Sequence, residues 1–282
     1  MLSWGFTCLS CESCIYYRKS DTGIVISAVH IEDFLSIASN KNENKKENFK
    51  NQMHEAWTIS DLGNVCFVIG IAVTWDRPNH TVMLLQTALI DKIVAQFGQR
   101  NASPSSLPMD PGLKLWHANY KNMSKSELDE IKKIPYCSLV GCLLYLSIGT
   151  RPDITYSIQQ LSQYLDCYSY AHWNAAIHVV GCLSGTRNPK LHLGSTNPIS
   201  LLGFTGSDWA NCLDTWRSVG SQTYSLGSGL FHGKLENKKL LLPHLAKQNI
   251  LPHLKPRRNV FGYAHFSTVS TTHPLLPQQH CN

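Results

Sequence analysis

The sequence predicts an α+β protein. β-rich runs gather in the first ninety residues, helical periodicities fill the middle, and strand patterns return from Pro198 onward. The chain has 282 residues, 43% of them hydrophobic and 16% charged, which describes a globular chain of one or two domains rather than a disordered one.

Taken in order, residues 23 to 38 read as two strands meeting at a tight turn around His30 to Asp33. The run "NKNENKKENFKNQMHEAW" then places Phe49, Met53, Ala56 and Trp57 on one face at helical spacing. "DLGNVCFVIGIAVTWD" is a turn followed by a β-rich run, "RPNH" is a second turn, and "TVMLLQ" is the return strand of a hairpin. "TALIDKIVAQFG" is an amphipathic helix with Leu89, Ile93, Val94 and Phe97 inward and Gly98 as its stop. Residues 99 to 134 form a polar linker carrying Pro104, Pro108 and Pro111, with a short helix at "SKSELDEIKK".

Three helical stretches follow. Val140, Leu143, Leu144 and Ser147 share one face of the first. "TRPDITYSIQQLSQYL" has Pro152 in its first turn and aligns Ile154, Ile158, Leu161 and Leu165. "SYAHWNAAIHVVGCLSG" sets Trp173, Ile177 and Val180 inward and ends at Gly185. "ISLLGFTGSDWA" and "SQTYSLGSG" read as strands, and beyond Gly229 no period of either kind is sustained.

Charge and cysteine usage bound the function classes. A net charge of +6 suits a polyanionic partner without requiring one. The ten cysteines are scattered. Cys8, Cys11 and Cys14 have the spacing of part of an iron–sulfur run, but Arg18 stands where the next ligand would fall, so free thiols in a reducing compartment are expected. The tail histidines lack zinc-ligand spacing. "MLSWGFTCLS" has no basic leader, and no apolar run approaches the length of about 20 residues that spans a bilayer. An intracellular protein, cytoplasmic or nuclear, with no membrane partner is expected.

The stretch "AVHIEDFLSIA" poses the chemical question. Glu32 and Asp33 stand side by side between apolar runs, and carboxylates there are costly unless neutralised. They are either solvated acids on a turn or ligands to a cation.

The order of the segments "CIYYRKSDTGIVISAVHIEDFLSIA", "ISDLGNVCFVIGIAVTWD", "LIDKIVAQFG" and "PYCSLVGCLLYLSIGTRPDITYSIQQLSQYL", then "HWNAAIHVVGCLSGTRN" and "LLGFTGSDWANCLDTWRSVGSQTYSLGSG", resembles the copia-type retrotransposon Pol polyprotein. The similarity is to the C-terminal part of its reverse transcriptase and the start of its ribonuclease H, across about residues 8 to 229. It implies a partial reverse-transcriptase palm hairpin and thumb-like helices, followed by an incomplete ribonuclease H-like sheet. The implied divisions are late palm and thumb-like region over 1–110, helical connection over 111–195, and a truncated ribonuclease H-like segment over 196–229. The implied tail, 230–282, is out-of-frame or disordered. Synonymous codons for Phe231 to Ile250, read from the third base of the Phe231 codon, can spell the family's missing ribonuclease H peptide.

The resemblance also assigns the acids. An aromatic-x-Asp-Asp turn and a third aspartate on a preceding strand hold two Mg2+ ions in the family. Here the turn reads His30-Ile31-Glu32-Asp33, and the strand bearing the third acid would lie before the first residue. Glu32 and Asp33 are therefore expected to be an ancestral Mg2+-binding catalytic pair that no longer works. Glu reaches about 1.5 Å further than Asp, and Mg2+ demands near-octahedral ligands at about 2.0–2.1 Å. In the ribonuclease H-like run, Gly206 stands where the first metal-ligating aspartate belongs, and Asp208 matches an acid that is not carried over as catalytic. The implied ancestral partner is an RNA/DNA template–primer. The expectation is a degenerate, inactive polymerase fragment, with a non-catalytic nucleic-acid-binding module as the alternative. Self-association through exposed apolar surface is a further expectation.

Overall fold

A computed structural model of the chain describes residues 1–21, 23–31, 33–38, 43–97, 104–194, 201–207, 214, 218–226, 229–237, 255–258 and 265–270. Two units, Met1–Cys66 and Phe67–Asn282, each form their own body.

In the first unit, an antiparallel sheet runs in the order β1 (Thr7–Cys8), β2 (Ile15–Ser20), β3 (Gly23–His30), β4 (Asp33–Ala38). The predicted strand–turn–strand is the β3–β4 hairpin, in register from Val25↔Ala38 to His30↔Asp33. Strand period two sends Val25 and Ser27 to one face, with Ile24 and Ile26 on the other. The first face is covered by α1 (Glu43–Ala56), which buries Phe49 and Met53 against Val25 and Phe6. Val25 is 1% exposed there. Ser27 is buried without penalty because its hydroxyl pairs with Ser36 at 3.1 Å. Two of the four residues expected on the inner face of α1 lie off it. Ala56 is exposed, and Trp57 follows the helix end and stacks on Phe34 with ring centroids 6.1 Å apart.

The second unit opens with β5 (Phe67–Val68), β6 (Ile71–Asp76) and β7 (Thr81–Leu85), the predicted hairpin; β8 (Leu191–Gly194) closes this sheet beside β7. α2 (Thr87–Gln96) buries Ile90, Ile93 and Val94, while Leu89 and Phe97 pack at the rim. Its C-cap is Phe97, and the predicted stop Gly98 lies outside the described residues. α3 (Lys125–Lys133) starts at a capping box in which Ser124 and Glu127 satisfy each other's backbone N–H.

α4 (Tyr136–Gly149) is the hub of the helical core. Its expected stripe is corrected at Leu144, which is 44% exposed, while Tyr136, Leu139 and Leu146 join Val140, Leu143 and Ser147 inside. The reason is tertiary: α4 meets α2, α5 (Thr155–Ser162) and α6 (Tyr170–Gly185), so it buries a wider arc than one stripe. Ile154, Ile158 and Leu161 are buried as predicted, whereas Leu165 lies beyond the end of α5 and is 41% exposed. On α6 Ala176, Val179, Val180 and Leu183 are fully buried together with His172, with Trp173 and Ile177 at the rim.

Two polar networks lock the turns between these helices. Arg151, 2% exposed, donates to Asp153 through Nε at 2.9 Å and Nη2 at 2.7 Å. Its Nη1 reaches the Thr186 carbonyl at 2.5 Å, tying the α4–α5 turn to the end of α6. Thr150 donates to the buried Gln86 at 2.9 Å. Gly149 permits that approach, since a Cβ there would stand 2.5 Å from Gln86 Oε1.

A third sheet has the order β11 (Gly229–Asn237), β10 (Val219–Leu226), β9 (Leu201–Ser207), β13 (His265–Ser270), β12 (Lys255–Arg258). Strand structure therefore continues past Gly229, where the sequence period is lost. By length and composition the stretch Lys125–Gly149 is long and apolar enough to cross a membrane. It is two helices divided at Ile134 and Pro135, and the second carries the centre of the helical core.

Candidate functional site at the β3–β4 turn

At the acid-bearing turn, His30 and Asp33 pair across the β3–β4 hairpin. Ile31 is 85% exposed with φ 53°, the left-handed conformation that opens a primed hairpin turn. A β-branched residue is strained there, and Gly or Asn is the usual occupant. Glu32 lies outside the described residues. Asp33 is exposed on the first position of β4.

Register decides which way the turn opens. Asp33 shares the face of Leu35 and Ile37, and through their pairings that of His30, Ala28 and Ile26. This is the face opposite the one α1 covers. It is open, with Ile26 38% and Ile37 52% exposed. The acid thus sits at the edge of an uncovered apolar strip, where a ligand can reach it.

The described residues do not make an Mg2+ site at this turn. Two-metal chemistry needs several carboxylate oxygens converging on both ions. Among the described residues, no group of three His, Cys, Asp or Glu gathers around Asp33. On β9, Gly206 pairs with Ser221, whose hydroxyl donates to the Gly206 carbonyl at 3.3 Å. With no side chain, Gly206 offers no ligand. Asp208 lies outside the described residues.

The structure gathers a different polar cluster that sequence spacing did not single out. Single donor atoms of His117, Asp166 and Cys167 lie within 4.8 Å of one another. Asp214 accepts from the His117 backbone N–H at 3.3 Å and pairs with its Nδ1 at 2.7 Å, from 97 positions away. The Cys167 thiol donates to Asp166 at 3.1 Å, which holds that carboxyl below the usual carboxylate range. Burial first, and then that bond, push the thiol up to about 11. No local motif could have found these residues, because three separate chain segments supply them.

The family described as reverse transcriptase (RNA-dependent DNA polymerase) matches residues 1–111, which include the hairpin turn. The retrovirus-related Pol polyprotein from transposon TNT 1-94 of Nicotiana tabacum is 28% identical over 222 residues, 77% of this chain. The retrovirus-related Pol polyprotein from transposon RE2 of Arabidopsis thaliana is 26% identical over 228 residues, 80% of this chain.

The chain belongs to the copia-type retrotransposon Pol family.

Within that family its place is the reverse transcriptase region. An uncharacterized mitochondrial protein of Arabidopsis thaliana is 37% identical over 107 residues, 95% of that protein. The chain spans 16% of the tobacco copia-type polyprotein and 15% of the Arabidopsis one. No solved structure matches it.

Proposed function

We propose that this chain is a copia-type reverse transcriptase remnant that does not polymerise DNA. The observation that carries the reading is the hairpin turn, where Glu32 replaces the first aspartate of the family pair and the described residues gather no other ligands around Asp33. Two Mg2+ ions need a third carboxylate held in register, and catalytic groups tolerate misplacement of only about 0.5 Å. Gly206 removes the corresponding first acid from the ribonuclease H-like strand, so RNA strand removal is lost for the same reason. Primer extension is the test. The purified 282-residue polypeptide, supplied with template–primer, dNTPs and Mg2+, is expected to incorporate nothing above background. Incorporation that disappears in Asp33→Asn would overturn the reading.

A second reading has its own support. The net charge of +6 suits a nucleic-acid-binding module that no longer catalyses. Filter binding to a primer–template duplex at several salt concentrations separates it from an inert fragment. Affinity that falls steeply with salt supports binding through phosphates, and a slope near zero removes this reading.

We further infer that the divisions follow the family order: late palm and thumb-like region to 110, helical connection to 195, ribonuclease H-like segment to 229, and out-of-frame translation beyond. The coding DNA tests the last division. A neighbouring frame that does not spell the missing ribonuclease H peptide across Phe231 to Ile250 would sink it.

A further inference from the structure

We propose that His117, Asp166 and Cys167, supported by Asp214, form a binding site for a divalent cation of the zinc class. The donor set is one imidazole, one carboxylate and one thiol, with their ligand atoms already within 4.8 Å of one another. Thiol and imidazole donors select zinc-like ions over Mg2+ or Ca2+, which take oxygen. A tetrahedral zinc ion with ligands at about 2.0–2.3 Å needs its donor atoms about 3.5 Å apart. Side-chain rotation closes the difference, since none of the three is locked in the core.

The backbone around the cluster is already tied together. Tyr164, buried beside it, donates its hydroxyl to the Leu115 carbonyl at 2.9 Å. The Ala118 N–H donates to the Cys167 carbonyl at 3.2 Å, binding the His117 segment to the chain that carries Asp166 and Cys167. The His117 ring rests edge-on against Tyr164 at 5.1 Å between centroids. Asp214, at 2.7 Å from His117 Nδ1, fixes the imidazole orientation in the manner of carboxylate–histidine–metal arrangements. This site is separate from the β3–β4 turn, and the proposal does not depend on the polymerase reading. When the metal–sulfur bond forms, the thiol proton passes to solvent.

Cobalt(II) titration of the full chain tests it, because a thiolate ligand produces a near-ultraviolet charge-transfer band. The expected result is one cobalt bound per chain, displaced by zinc and untouched by excess Mg2+. Cys167→Ser is expected to abolish the band, and His117→Gln to weaken binding at least about tenfold. Asp214→Asn should lower affinity about 10–100-fold, the range for an orienting partner. A Cys8→Ser, Cys11→Ser, Cys14→Ser triple variant is expected to keep the band. Far-ultraviolet circular dichroism checks that each variant keeps its fold, and His117→Gln decides the matter should Cys167→Ser disturb it. Absence of the band in the unaltered chain, its persistence in Cys167→Ser, or its loss only in the triple variant would overturn the proposal.

Discussion

Ile31 and His172 show how single residues carry strain and pH sensitivity. Ile31 adopts φ 53° in an exposed turn, where a β-branched side chain opposes the backbone. Ile31→Gly is expected to stabilise the first unit by about 1 kcal/mol, read as a shift in urea midpoint at unchanged slope. His172 is buried between Tyr136 and Tyr164, and its Nδ1 accepts from the Ser169 N–H at 3.0 Å. Burial, reinforced by nearby His117 and opposed by Asp214, pushes it from 6.5 down to about 4. Protonation would also put a hydrogen on the accepting nitrogen. Between pH 6.5 and 4 the unfolded chain therefore binds the proton that the folded chain refuses, and stability falls as pH drops through that window. The loss is on the order of 3 kcal/mol. His172→Gln, which keeps an acceptor but cannot titrate, should flatten this limb of a melting-temperature-against-pH curve.

At the scale of elements, local signals and burial pull apart. The α3 helix is local: Ser124 and Glu127 close a capping box that four residues of sequence suffice to specify. Ser124→Ala is expected to cost about 1 kcal/mol and to lower helicity, measured by thermal melting followed at a helical wavelength. α4 is the opposite case. Its period identified a helix, but the buried arc came from being enclosed by α2, α5 and α6. Leu144 fell outside that arc and Leu139 inside it, a choice that depends on where the neighbours stand.

For the whole molecule, the face of the β2–β3–β4 sheet opposite α1 carries exposed apolar side chains in the first unit. Ile24, Ile26 and Ile37 form an apolar strip on it, beside Asp33. Such a strip favours self-association when nothing covers it. Ile37→Lys is expected to reduce concentration-dependent association in sedimentation velocity runs while leaving the helix-covered face intact. Equal association by the variant would point to another surface.

The sequence by itself determined the family, the β3–β4 hairpin, its acid-bearing turn, the β6–β7 hairpin and the run of helices from α2 to α6, but not β8 or the strands past Gly229. These are short-range properties, written in periods of two and 3.6, turn residues and landmark order. Only the tertiary structure decided which face of the hairpin stays open, which arc of α4 is buried, and that His117, Asp166, Cys167 and Asp214 meet. Those outcomes depend on contacts between residues distant in the chain, and no local pattern encodes the position of a partner that arrives from elsewhere.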